Sequence, residues 1–114
     1  MAEFLQCLGQ SAPASGVATV LYQVPSGGMA STSTMFACNT TADSGIFRLY
    51  VQQSGATAPT VGGTISGYVY YNVAVPPGDT FAATVGLTLA GGDQTWVYTN
   101  LSGLVFSAYG AEIR

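Results

Sequence analysis

The sequence contains no lysine and no histidine, and its 114 residues carry only two arginines and five carboxylates. Each absence removes a class of chemistry. Without histidine or lysine the commonest general bases and Schiff-base formers are missing, and a Ser-His-Asp triad cannot be built. A structural zinc site wants four Cys or His ligands, and Cys7 and Cys38 are the only two residues of those types. The same two cysteines do not make a disulfide framework, and they read as small, reduced, buried hydrophobes. The carboxylates are Glu3, Asp43, Asp79, Asp93 and Glu112. Glycoside hydrolysis needs two such groups flanking one bond. Asp43, Asp79 and Asp93 instead sit in Gly-containing turn segments, where Asp hydrogen-bonds its own backbone. Asp79 and Asp93 could share one end of a sandwich and hold calcium with loop carbonyls, but no dense Asp/Asn ligand run supports it. The chain therefore reads as a non-enzyme, with no catalytic residue, no metal and no cofactor.

The charge balance narrows the partners. Net charge is −3, and Arg48 and Arg114 are the only cations. Phosphate backbones are held by clustered Lys and Arg, so nucleic acid is not an expected partner. The lack of a basic cluster also argues against a polybasic membrane contact. No apolar run approaches the roughly 20 residues of a spanning helix. The opening Met1-Ala2-Glu3-Phe4-Leu5 lacks the basic and apolar regions of a signal peptide, so synthesis and retention in a cytoplasm are expected. Two sequon matches, Asn39-Thr40-Thr41 and Asn100-Leu101-Ser102, are then chance patterns.

What is present is apolar content, 48% of residues, in short runs of period two. Phe4 to Leu8 makes a first strand, and Gln10 to Gly16 a connection. Val17 to Val24 is a second strand, closed by the turn Pro25-Ser26-Gly27-Gly28. Ala30 to Asn39 alternates hydroxyl and apolar residues. After a polar turn to Gly45, the pattern puts Phe47, Leu49 and Val51 inside and Arg48, Tyr50 and Gln52 outside. Ser54 to Gly63 reads as a surface loop. In Ile65 to Val75, alternation sets Val69, Tyr71, Val73 and Val75 against Tyr68, Tyr70 and Asn72. Pro76-Pro77-Gly78-Asp79 and Ala90-Gly91-Gly92-Asp93 bracket a strand with Phe81, Ala83, Val85, Leu87 and Leu89 on one face. Thr95 to Thr99 and Leu104 to Tyr109 complete the set. Eight short strands without a helical stripe predict an all-β, eight-stranded antiparallel sandwich of jelly-roll type, one domain over residues 1–114. The Cys…Trp…Cys order of an immunoglobulin domain is absent, because Trp96 follows both cysteines.

A surface with 6% charged residues, against about a quarter in ordinary domains, suits a chain that lies against other protein. Tyr, Trp and Arg are enriched at interface centres. Phe4, Leu5, Leu8, Arg48, Tyr50, Tyr68, Tyr70, Trp96 and Tyr98 are accordingly the candidate assembly interface. Glu3 to Gly9 is the expected assembly arm. With no lysine to guard sheet edges, neighbouring subunits are expected to cover them in a closed homo-oligomer, a trimer being favoured.

Several segments carry a resemblance: Leu21-Tyr22-Gln23-Val24-Pro25, Ala37-Cys38-Asn39, Phe47-Arg48-Leu49, Pro77-Gly78-Asp79-Thr80, Leu87 to Asp93, and Phe106 to Ile113. Together they resemble the small β-sandwich structural proteins of tailed bacteriophages, cyanophages included. The resemblance implies a virion component without catalytic residues, assembled in the host cytoplasm. A capsid cement (decoration) protein that oligomerises and bridges major capsid protein subunits is the leading expectation. The alternatives are a tail, fibre or baseplate module that recognises a host-surface glycan, and a spore or cell-surface jelly roll.

Overall fold

In a computed structural model of the chain, residues 3–54 and 67–113 are described, Glu3 by its backbone alone. The expected Ser54 to Gly63 loop lies outside the described residues beyond Ser54, as do Ile65 and Arg114. The described residues form eight strands and no helix: β1 Glu3–Ser11, β2 Thr19–Gln23, β3 Met29–Asn39, β4 Gly45–Gln52, β5 Tyr68–Val75, β6 Thr80–Ala90, β7 Gln94–Thr99 and β8 Leu104–Ile113. They assemble into two antiparallel four-stranded sheets, the first ordered β1-β8-β3-β6 and the second β2-β7-β4-β5. The pairs are nested: first strand with last, second with seventh, third with sixth, fourth with fifth. The all-β sandwich expected from period-two patterning is the fold that forms.

Alternation places one face of each strand between the sheets. Phe47 of β4 is fully buried and meets three rings. Phe106 of β8 lies 5.6 Å away, Phe81 of β6 5.3 Å and Tyr70 of β5 6.1 Å, between ring centroids. Tilted and edge-on contacts of this kind add to the area term. Leu49, Val97, Leu104, Met35 and Ala37 extend this cluster. A second cluster of Tyr22, Val24, Ala30 and Leu89 fills the other end of the sandwich, and Leu8 packs against both. There the hydroxyl of Tyr22 on β2 donates to Glu112 Oε2 on β8, tying one sheet to the other through a carboxylate that is 4% exposed.

Every edge strand breaks register with its neighbour. Shifts fall at Cys7/Gly9 between β1 and β8, at Val20/Tyr22 between β2 and β7, at Thr32/Thr34 between β3 and β6, and twice between β4 and β5. Bulges twist an edge out of the flat geometry that templates further strands. The chain thus carries an internal edge protection that the count of lysines did not reveal. In β6 the irregularity includes Gly86, at φ 63°, where a side chain is disfavoured. In β1 it includes Gly9, whose absent Cβ would stand 2.1 Å from the Leu21 carbonyl oxygen of the other sheet.

The cysteine expectation is corrected. Both thiols are free, but Cys7 is exposed on the outer face of β1 and Cys38 is half-buried. Alternation along β1 turns Leu8, not Cys7, toward the core.

Two substitutions measure these contacts. Phe47→Ala should cost about 3–5 kcal/mol by removing the ring that joins both sheets. Gly9→Ala should cost about 1–3 kcal/mol, because backbone rather than a flexible side chain must move. Urea denaturation of both variants checks the order, and Phe47→Ala must be the larger loss.

Candidate functional site

The outer face of the second sheet gathers the ring-bearing residues into cross-strand rows. Val20, Trp96, Tyr50 and Tyr68 stand opposite one another across β2, β7, β4 and β5. The adjoining row sets Tyr98 beside Arg48. On the other side Gln23, Gln94 and Gln52 face each other as a row of amides. Trp96 lies parallel to Tyr50 at 6.3 Å, and Tyr68 meets Tyr50 edge-on at 5.5 Å. The indole N–H of Trp96 donates to Gln94 Oε1 at 3.1 Å, linking rings to amides.

One bulge completes this face. Phe47 pairs with Val73 and Leu49 pairs with Tyr70. Arg48 therefore stands opposite two residues, Tyr71 and Asn72. Asn72 has φ 50°, the one non-glycine with positive φ among the described residues, and Asn tolerates that region better than most. Tyr71 and Asn72 both become exposed, while Tyr70 turns inward against Phe47 and Phe81. The Arg48 guanidinium carbon sits 4.5 Å from the Tyr71 ring centroid and 4.8 Å from that of Tyr98. Its Nε donates to Asn72 Oδ1 at 2.7 Å. Tyr71 also meets Tyr68 edge-on at 4.9 Å, so the two rows are continuous.

The structure sorts the nine interface candidates. Arg48, Tyr50, Tyr68, Trp96 and Tyr98 come together on this face. Tyr70 does not, because the bulge shifts the alternation by one residue. Tyr50 faces outward but is only 2% exposed, covered by Trp96 and Tyr68. Leu8 belongs to the core. Phe4 and Leu5 lie on β1, at the edge of the other sheet, 39% and 80% exposed. The expected assembly arm is part of an intramolecular strand: β1 pairs with β8 from Glu3↔Ile113 through Ser11↔Phe106. Leu5 and Cys7 line a groove there with Ser31, Ser33, Tyr109 and Ala111. Tyr71 and Asn72 escaped the sequence reading because strict alternation places Tyr71 inside. The one available signal was an Asn in a strand interior.

Asn39, Asp79 and Asp93 serve the fold. Asn39 is buried, and its Nδ2 donates to the carbonyls of Asp43 and Val75 at 2.7 and 3.0 Å, so the folded chain offers no sequon nitrogen there. Asp93 accepts from the backbone N–H groups of Ser54 and Ala90 at 3.0 and 2.9 Å, and Asp79 from that of Thr80 at 2.8 Å. The shared calcium site for Asp79 and Asp93 is ruled out by geometry. The two turns flank β6, whose 11 residues at about 3.3 Å each hold them roughly 35 Å apart. No cluster of three metal-ligating side chains occurs among the described residues.

No protein family, curated protein or solved structure matches the chain.

Burial raises the Tyr50 hydroxyl to a pKa of about 12, with a contribution from neighbouring Tyr68 and a partial offset from Arg48. The folded state thus holds this proton more tightly than the unfolded chain, whose tyrosines titrate near 10. The corresponding stability is complete below about pH 10 and is lost as pH rises toward 12. Ultraviolet titration should show one tyrosine ionising about two units late, and Tyr50→Phe should remove that step. An unchanged titration curve would contradict the burial of this ring.

Proposed function

We propose that the chain is a virion structural protein of a tailed phage, a capsid cement protein that docks through the outer face of the second sheet. In this reading the nested strand order is that of a jelly roll, built from two Greek keys. The protein assembles with itself and bridges neighbouring major capsid protein subunits. Separating those subunits must then also break the cement contacts. Each copy adds modestly, and attachment at several points gains from effective concentration.

The observation that carries the reading is the composition and packing of that face. It holds Tyr, Trp and Arg at its centre, amides along one side and no described carboxylate, which is the profile of a protein interface core. Its rings brace one another, so little side-chain freedom remains to be lost on docking. A glycan site would instead need open ring faces and a concave pocket. Here the guanidinium covers one face each of Tyr71 and Tyr98, and Trp96 lies over Tyr50.

Quantitative mass spectrometry of particles tests the reading. It should give one copy per capsid subunit or a simple fraction of it. A handful of copies per particle would move the protein to the tail and favour glycan recognition. On particles lacking the protein, Trp96→Ala should weaken docking by tenfold or more while leaving the fold intact, and undiminished docking would exclude this face.

A further inference from the structure

We propose that Arg48 is a receptor for a single carboxylate, an Asp or Glu side chain presented by the protein partner of this face. The inference rests on the docking reading above and adds the chemistry of the contact. The guanidinium is fixed on three sides. Tyr71 and Tyr98 lie within 4.8 Å of its central carbon, and Asn72 Oδ1 takes the Nε hydrogen at 2.7 Å. What remains is the end of the fork, the two Nη groups. Among the described residues nothing accepts from them, and no carboxylate pairs with Arg48.

The described carboxylates are committed elsewhere or lie apart. Glu112 is buried beneath Tyr22, and Asp79 and Asp93 hold turn backbone. Asp43 sits in the turn before β4 without an ion pair to Arg48. A cation braced by a left-handed Asn and two rings, yet given no counter-ion by the described residues, is pre-organised for one from outside. The Nη pair presents two parallel donors, which match the two oxygens of a carboxylate end-on. A single guanidinium balances one negative charge, whereas polyanions are read by clusters of cations. An acidic sugar would also want a ring face on which to stack, and the guanidinium occupies those nearest to it.

The test uses the intact chain. The Nε–H signal of Arg48, assigned by its loss in Arg48→Gln, is titrated with a terminally blocked Gly-Glu-Gly peptide and with Gly-Gln-Gly at matched salt. The Glu peptide should shift the signal saturably and the Gln peptide should not. An equal response to both overturns the inference. Docking to particles that lack the protein gives the second readout. Arg48→Gln and Arg48→Lys should each weaken it tenfold or more, since an ammonium keeps the charge but loses the fork and the stacking. Unchanged thermal unfolding of both variants separates this loss from misfolding. Full docking by both, with loss in Trp96→Ala, overturns the carboxylate receptor and leaves the docking face standing. Full docking by all three removes the docking face itself. Arg48-dependent capture of a uronic-acid oligosaccharide without docking to particles overturns the protein partner.

Discussion

The two residues of β5 that stand opposite Arg48 decide both sides of the second sheet. In a regular ladder, alternation would send Tyr71 inward and Tyr70 outward. The inserted residue reverses this. Tyr70 joins the ring cluster around Phe47, and Tyr71 and Asn72 together reach the outer face. The strain is small, because Asn populates the left-handed region with local polar contacts to spare. It is offset by what it permits: a third ring against Phe47, and a hydrogen bond that fixes the guanidinium. β5 is also an edge strand, where a bulge disturbs the fewest ladder bonds and does the most to block further pairing. Core, surface and edge thus depend on one irregularity.

Three of the four carboxylate side chains among the described residues have an internal task. Asp93 closes the turn before β7 by accepting two backbone hydrogens, and Asp79 does the same with one before β6. Glu112 links the sheets through Tyr22. A buried carboxylate is tolerable only with donors around it, and a hydroxyl from the opposite sheet supplies one while specifying how the sheets sit. Asn39 plays the comparable neutral role, its amide donating to two carbonyls and its oxygen accepting from Thr41 N–H and Oγ1. These groups hold turns and sheet packing together. They do little to cover the surface, and the outward positions of the first sheet carry no charged side chain among the described residues.

Strand existence was legible because one face of each strand is buried, and burial writes period two into the sequence. Phe47, Leu49, Phe81, Leu89 and Val97 all sit where alternation puts them. The turns were legible from Pro76 to Asp79 and Ala90 to Asp93 for the same local reason. Bulges were not. Each adds a residue without a composition signal strong enough to see, and in β5 that residue puts Tyr70 inside and Tyr71 outside. Tyr70 was misplaced in this way. Tyr50 failed differently. Its direction was right, but whether an outward ring is covered depends on which strands neighbour it, and the pairing of β4 with β5 and β7 is not local information. Apart from Tyr70, the interface candidates on β4, β5 and β7 converge through the same nonlocal pairing, while Phe4 and Leu5 belong to another sheet.

The edge and face properties of this sandwich point in one direction. A chain that assembled by adding strands would present at least one long, regular edge. All four edge strands here are interrupted, so main-chain pairing between copies is disfavoured along their length. The faces are left open by the same design, and they differ. One is hydroxyl-rich and, among the described residues, uncharged. The other is a braced platform of rings around a lone guanidinium. Side-chain docking onto a face selects partners by shape and by one charge, whereas edge pairing selects almost nothing. A protein that must bind a repeated surface without joining its own copies into fibres needs the first kind of contact and protection against the second.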